Sequence, residues 1–214
     1  MPTMLRKFMA PLAAVLLAAG CSSGGGDDVA AEGRPADEIC GAFAKDQPAA
    51  AAFEAIAGEG GLVDNLSEPE RVVKELRAAA LEPQSGKTRM KGVSFCWPRS
   101  TDGKGVFNIT FREALAVPES ADTDVTRYTV GESATSSDLF ASIYFTCRMK
   151  APAHEIVIAA ELERDDRNEA AEADVRARQI TVLNAAARKV SGELGCGPET
   201  ELGTGVPQQE PGAG

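Results

Sequence analysis

Histidine, aromatic residues and positive charge are all scarce in this chain. One histidine among 214 residues argues against metal sites built from several imidazoles and leaves His154 as the sole histidine for acid–base catalysis. Only 5% of the residues are aromatic, and 22 Lys+Arg face 32 Asp+Glu, for a formal net charge of −10. Because contacts to phosphate need clustered Lys and Arg, this balance argues against nucleic acid as a partner. The hydrophobic content, 43%, is enough for one folded domain with its own core.

The first 20 residues have the layout of an export signal. Arg6 and Lys7 precede an uncharged, mostly apolar run over 8–19, which is too short for an ordinary membrane-spanning helix. Small residues then lead to Cys21, and the stretch LAAGC resembles a bacterial lipobox, whose cysteine receives a diacylglyceryl group. We therefore expect a signal peptide over 1–20 and a lipid (palmitate-type) anchor on Cys21. Plain secretion with cleavage near Gly20, or a buried apolar helix, is the alternative.

The next segment, 21–34, is rich in Gly, Ser and Asp and is expected to form a flexible tether. Fully extended, it would reach about 45 Å from the lipid. Removal of the signal takes away two positive charges and leaves a formal charge of −12 on the mature chain. The expected location is the outer face of the cytoplasmic membrane, which the chain contacts through the anchor on Cys21.

Lipidation of Cys21 leaves four cysteines, and an even number outside the cytoplasm suggests two disulfides. They lie about fifty residues apart without a CxxC motif, which argues against a structural metal site. Strand alternation places Cys147 on the apolar face of its strand, whereas Cys96 lies on the face opposite Phe95 and Trp97. These two cysteines should therefore face opposite sides of the sheet and should not pair. Either Cys40–Cys96 with Cys147–Cys196, or Cys40–Cys147 with Cys96–Cys196, remains. We prefer the first, because Cys196 ends the helix expected to cover the strand of Cys147.

The hydrophobic periodicity predicts three N-terminal helices, four main strands and one long C-terminal helix. The helices are predicted over 35–45, 46–57, 67–81 and 168–193, and the strands over 91–97, 106–115, 139–148 and 155–162, with a short β-like piece at 127–130. This order predicts one α+β domain over 35–198, with an antiparallel sheet of about four main strands and the helices packed on one face. The Gly, Pro, Gln and Glu residues of 199–214 predict a disordered tail.

Three neighbourhoods carry a family resemblance. The segments 139–147 (LFASIYFTC) and 179–187 (QITVLNAAA), the latter followed by ELGC at 193–196, resemble a family of uncharacterised streptomycete (actinobacterial) surface lipoproteins. The stretch Ile39-Cys40-Gly41 is similar to the first cysteine region of that family. The resemblance implies a Gram-positive cell-surface lipoprotein and supplies no activity, cofactor or functional residues.

Alternation along the strands also selects a candidate ligand face, on the side of the sheet away from the last helix. Its predicted members are Asn108, Arg112, Phe140 and Tyr144, together with Thr110, Ser142 and Thr146. Aromatic and hydrogen-bonding groups side by side are typical of a shallow binding surface. An ordinary solvated face, or one partly covered by the first helices, is the alternative.

Familiar catalytic motifs are missing. The Gly86-Lys87-Thr88 stretch lacks the upstream glycine of a phosphate-binding loop, and no GxSxG elbow occurs. We therefore expect a non-catalytic binding or interaction module of the cell envelope, without cofactor or metal, whose partner is an envelope protein or a small ligand. The alternatives are a hydrolase-like envelope enzyme using His154 or carboxylates, and an accessory solute-binding lipoprotein.

Overall fold

The computed structural model describes residues 33–58, 60–64, 66–83, 86–118, 124–165 and 173–211. The predicted signal peptide, Cys21 and nearly all of the tether lie outside these residues, so those predictions stay predictions. Within the described ranges, no helix combines the length and the apolar character that crossing a bilayer requires.

The described residues contain three α-helices: α1 (Gln47–Ala57), α2 (Pro69–Leu81) and α3 (Ala173–Leu194). The Asp46 carboxylate caps α1 by accepting a hydrogen bond from the backbone N–H of Ala49 at 2.9 Å. The sequence from Ser67 to Glu70 matches a capping box and predicts that Ser67 caps α2. This prediction is wrong, because the Ser67 hydroxyl instead accepts from the backbone N–H of Trp97 at 2.9 Å. For α3, the predicted start at residue 168 lies outside the described residues.

The first predicted helix, 35–45, is also wrong. Its residues form a short 3₁₀ turn, Ala36–Glu38, followed by three residues with positive φ at Cys40, Gly41 and Ala42. A right-handed helix cannot continue through this left-handed backbone. The turn instead buries Cys40 against the sheet.

In the part of the chain that the structure describes, eight strands form two antiparallel sheets. The strands are β1 (Leu62–Val63), β2 (Val93–Cys96), β3 (Arg99–Ser100), β4 (Phe107–Ala114), β5 (Thr126–Arg127), β6 (Ser133–Ser136), β7 (Phe140–Cys147) and β8 (Ile156–Arg164). The main sheet has six strands in the order β2-β4-β8-β7-β6-β5, and β1 pairs with β3 in a small second sheet. The α+β class with a mainly antiparallel sheet and a long C-terminal helix is confirmed. The main sheet has more strands than predicted, because the polar segment after β4 forms β5 and β6.

All three α-helices pack on one face of the main sheet. Its alternate residues are buried there, and five phenylalanines meet in one chain of ring contacts with centroids 4.7–5.9 Å apart: Phe43, Phe53, Phe95, Phe107 and Phe111. Burying one such side chain contributes about 1.5–3 kcal/mol. This cluster joins α1 and the turn before it to β2 and β4.

Two disulfides, Cys40–Cys96 and Cys147–Cys196, link the chain in the pairing preferred from the sequence. The argument that excluded Cys96–Cys147 is nevertheless wrong. A β-bulge in β2 pairs Cys96 with Ile109, so Cys96 lies on the helix-covered face that also holds Cys147. An extra residue in a strand reverses the alternation beyond it. The strand order keeps Cys96 and Cys147 apart, because β4 and β8 lie between β2 and β7.

The structure describes the chain after the second disulfide as far as residue 211, and the disorder predicted over 199–214 stays a prediction. We call residues 203–211 the C-terminal segment. Its Gln208 carbonyl accepts hydrogen bonds from the backbone N–H of Thr129 at 2.8 Å and from the Thr129 hydroxyl at 3.1 Å. Composition did not reveal this docking because it depends on backbone groups, which every residue type supplies.

Candidate functional site

The four predicted ligand-face residues lie together on the open face, by which we mean the main-sheet face opposite the helices. They come from β4 and β7, with β8 between: Asn108, Arg112, Phe140 and Tyr144. Asn108 and Phe140 flank Glu163 of β8, and Arg112 and Tyr144 flank Ala159. The two rows are four residues apart, or about 13 Å along the strands.

Arg112 organises the centre of this open face. Its Nε and Nη2 donate to Glu161 Oε1 at 3.0 and 2.6 Å, and Nη2 also donates to the Tyr144 hydroxyl at 3.2 Å. The guanidinium carbon lies 6.0 Å from the Tyr144 ring centroid, at the outer limit of a cation–π contact. The hydrogen bond to Glu161 is the main cause that raises the pKa of Arg112. The result is a neutralised ion pair held beside a phenol.

The surroundings of that pair are polar. The Ser94 hydroxyl donates to Asn108 Oδ1 at 2.8 Å, and the hydroxyls of Thr135 and Ser142 lie 3.0 Å apart. Phe140, at one end of β7, is 40% exposed and adds an aromatic ring to this face. Five surface cavities of about 310–500 Å³ in the described part of the chain are lined by other side chains than the four predicted ones.

The structure gives the predicted acid–base residue no catalytic setting. His154 is exposed at the start of the β8 connection, and its backbone N–H donates to the Ala80 carbonyl at 2.7 Å. Within the part of the chain that the structure describes, its imidazole makes no hydrogen bond, and no group of three or more His, Cys, Asp or Glu could hold a metal ion. An isolated imidazole lacks the orienting partner that acid–base catalysis uses.

Two carboxylates of the main sheet, Glu161 and Glu113, are held by arginines. Glu161 is held by Arg112 on the open face, and Glu113 is buried on the opposite face against Arg89, whose Nε donates to it at 2.9 Å. Burial disfavours the charged form of Glu113, but the hydrogen bonds from Arg89 outweigh it and lower the pKa of this carboxyl. Both groups therefore act as ion-pair partners rather than as a pair of catalytic acids.

A second feature, a surface cavity of about 500 Å³, lies between β5, the first turn of α3 and the C-terminal segment. We call it the edge cavity; its polar lining residues are Thr126, Tyr128, Asp174, Arg176 and Gln209. Sequence reasoning missed it because these residues come from three segments that are distant in the chain and share no motif. A charged residue in a long helix, such as Arg176, gives no sign that a distant loop will meet it.

Comparison of the chain with protein-family models, with curated proteins and with solved structures finds no match in any of the three.

Proposed function

We propose that the chain is a lipid-anchored, extracytoplasmic binding module that docks an envelope protein on the open face and performs no catalysis. One observation carries this proposal. All three described α-helices cover the same face of the six-stranded sheet, and the other face presents Asn108, Arg112, Phe140 and Tyr144.

A protein fits this face better than a small molecule does. Small ligands prefer concave sites that enclose them, and the five cavities described above are lined by other residues than Asn108, Arg112, Phe140 and Tyr144. Arg and Tyr are the residue types most enriched at the energetic centres of protein interfaces, and Arg112 and Tyr144 lie together at the middle of the sheet. The ion pair of Arg112 with Glu161 fixes the guanidinium before a partner arrives, which lowers the entropic cost of docking.

The anchor rests on the sequence. Cys21 follows small residues behind an apolar run, and two disulfides elsewhere in the chain suit an oxidising compartment. Replacement of the lipid-bearing residue, Cys21→Ser, is expected to move the protein from the membrane fraction to the medium. Retention in the membrane fraction would contradict the proposed anchor.

The partner is sought on intact cells with a photo-crosslinking amino acid. Placed at Thr110 on the open face, it is expected to give one adduct of defined mass, and placed at Lys74 on the exposed side of α2 it is not. Arg112→Ala and Tyr144→Ala should remove the adduct, while the matched control Arg71→Ala should leave it. An adduct that also forms from Lys74, or that survives both open-face variants, refutes docking at this face.

A further inference from the structure

The edge cavity has the size of a small-molecule site. Its volume of about 500 Å³ falls inside the usual range for such sites, roughly 300–1,000 Å³. Tyr128 and Thr126 supply a phenol and a hydroxyl, while Ala177 and Pro207 supply apolar walls. Its charges are one guanidinium and one carboxylate, from Arg176 and Asp174.

Arg176 is positioned to receive an anionic group. Its Nε and Nη2 donate to Asp138 Oδ1 at 2.8 and 2.6 Å, and its Nη1 donates to the Thr126 hydroxyl at 3.3 Å. A guanidinium has five N–H donors, so about two remain for a ligand among the described contacts. These contacts hold the side chain in one orientation, and a carboxylate is the small anion that a guanidinium edge matches.

The opposite charge lies on the same turn of α3. Asp174 is highly exposed, and its nearest cation, Arg178, is 3.9 Å away, so the carboxylate can still receive a cation. We propose that the edge cavity binds a small zwitterion, an amino acid or a short peptide, with its carboxylate on Arg176 and its ammonium group on Asp174. The site is separate from the open face and does not depend on the proposed docking function.

The C-terminal segment makes one wall of this cavity through Pro207 and Gln209. It is held by backbone hydrogen bonds, from Thr129 N–H to the Gln208 carbonyl and from Glu210 N–H to the Arg127 carbonyl at 3.0 Å. A ligand that contacts this wall is bound only while the segment is docked. Binding therefore stabilises the docked segment by mass action.

Calorimetric titration of the purified full chain in detergent tests the two charge contacts. Glycylglycine is expected to bind, and glycylglycine amide, which lacks the carboxylate, should bind about tenfold more weakly or worse. N-acetylglycylglycine, which lacks the ammonium group, should also bind more weakly. Equal affinity for the three probes, or no heat with any of them, overturns the proposal.

Substitutions test which side chain contacts the carboxylate of the ligand and which contacts its ammonium group. Arg176→Gln should abolish glycylglycine binding, but it also removes the contacts to Asp138. The exposed variant Asp174→Asn avoids this problem: it should weaken glycylglycine and leave the affinity for N-acetylglycylglycine unchanged. Arg71→Gln, on α2, is the control and should change neither. If Asp174→Asn affects both probes equally, the ammonium contact is refuted.

Hydrogen exchange gives a readout independent of the heat. Saturating glycylglycine should slow exchange at the amides of Thr129 and Glu210, which tie the C-terminal segment to the sheet edge. The amide of Ser94, in β2 at the opposite edge of the sheet, is the internal control. Binding without any slowing at Thr129 and Glu210 would show that the ligand sits elsewhere.

Discussion

The substitution Glu113→Gln should destabilise the fold far more than Glu161→Gln, the same change on the open face. Glu113 is 3% exposed, and its partner Arg89 is 12% exposed. The carboxylate accepts from the Arg89 backbone N–H at 2.5 Å and from the guanidinium Nε and Nη2. Glutamine keeps the shape but removes the main counter-charge of the largely buried guanidinium, to which Glu82 contributes less.

Breaking a buried pair in this way costs about 3–5 kcal/mol, a large part of the 5–15 kcal/mol that holds a typical domain together. The matched control is Glu161→Gln, because Glu161 and its partner Arg112 are 21% and 34% exposed. That loss should stay below about 1 kcal/mol. The double variant Arg89→Met/Glu113→Leu should lose less than Glu113→Gln alone, since no unpaired charge remains.

The assay is urea unfolding followed by circular dichroism at neutral and acid pH. The folded pKa of Glu113 lies below its ordinary value of 4.5, so the pair stabilises the fold above that pH and loses its effect as the pH falls through the folded pKa. Glu113→Gln should therefore flatten the acid limb of the stability profile below about pH 4.5. Equal losses for Glu113→Gln and Glu161→Gln, or an unchanged acid limb, would refute the reasoning.

Two further predictions concern a disulfide and a glycine with positive φ. Cys147→Ser opens the bond to Cys196, whose sequence separation is 49, and should lower the free energy of unfolding by about 4 kcal/mol; a loss under 1 kcal/mol in urea would contradict it. Gly131→Ala should cost about 1–3 kcal/mol, because φ is 61° and the new Cβ would lie 2.6 Å from the Tyr144 carbonyl oxygen. Gly103→Ala, with φ 85° and open space around it, should cost less in the same urea unfolding assay, and the reverse order would be evidence against the close approach.

Long periodic segments were predictable because side-chain burial follows their repeat. Ile180, Leu183, Ala187 and Val190 of α3 repeat at spacings of three and four, and all are buried as the pattern requires. Strand β6 shows the opposite case. Ser133–Ser136 has one apolar residue, Ala134, and forms because β7 offers it a paired edge, which no local pattern reports.

The candidate site was likewise predictable from the sequence only in part. Alternation placed Asn108, Arg112, Phe140 and Tyr144 on one face, since β4 and β7 are regular throughout. The contact of Arg112 with Glu161 was out of reach, because it requires knowing that β8 lies between these strands. The edge cavity was out of reach for a stronger reason, since three segments of the chain meet there only after folding.

The Cys40–Cys96 disulfide determines how mechanical tension on the N-terminal segment enters the fold. A pull upstream of Arg34 first breaks its two backbone hydrogen bonds with Leu62, at 2.9 and 3.0 Å. The force then reaches Cys40 and passes through a covalent bond into β2, an edge strand of the main sheet. The loop closed by that bond contains α1 and α2, which stay out of the load path while the disulfide is intact.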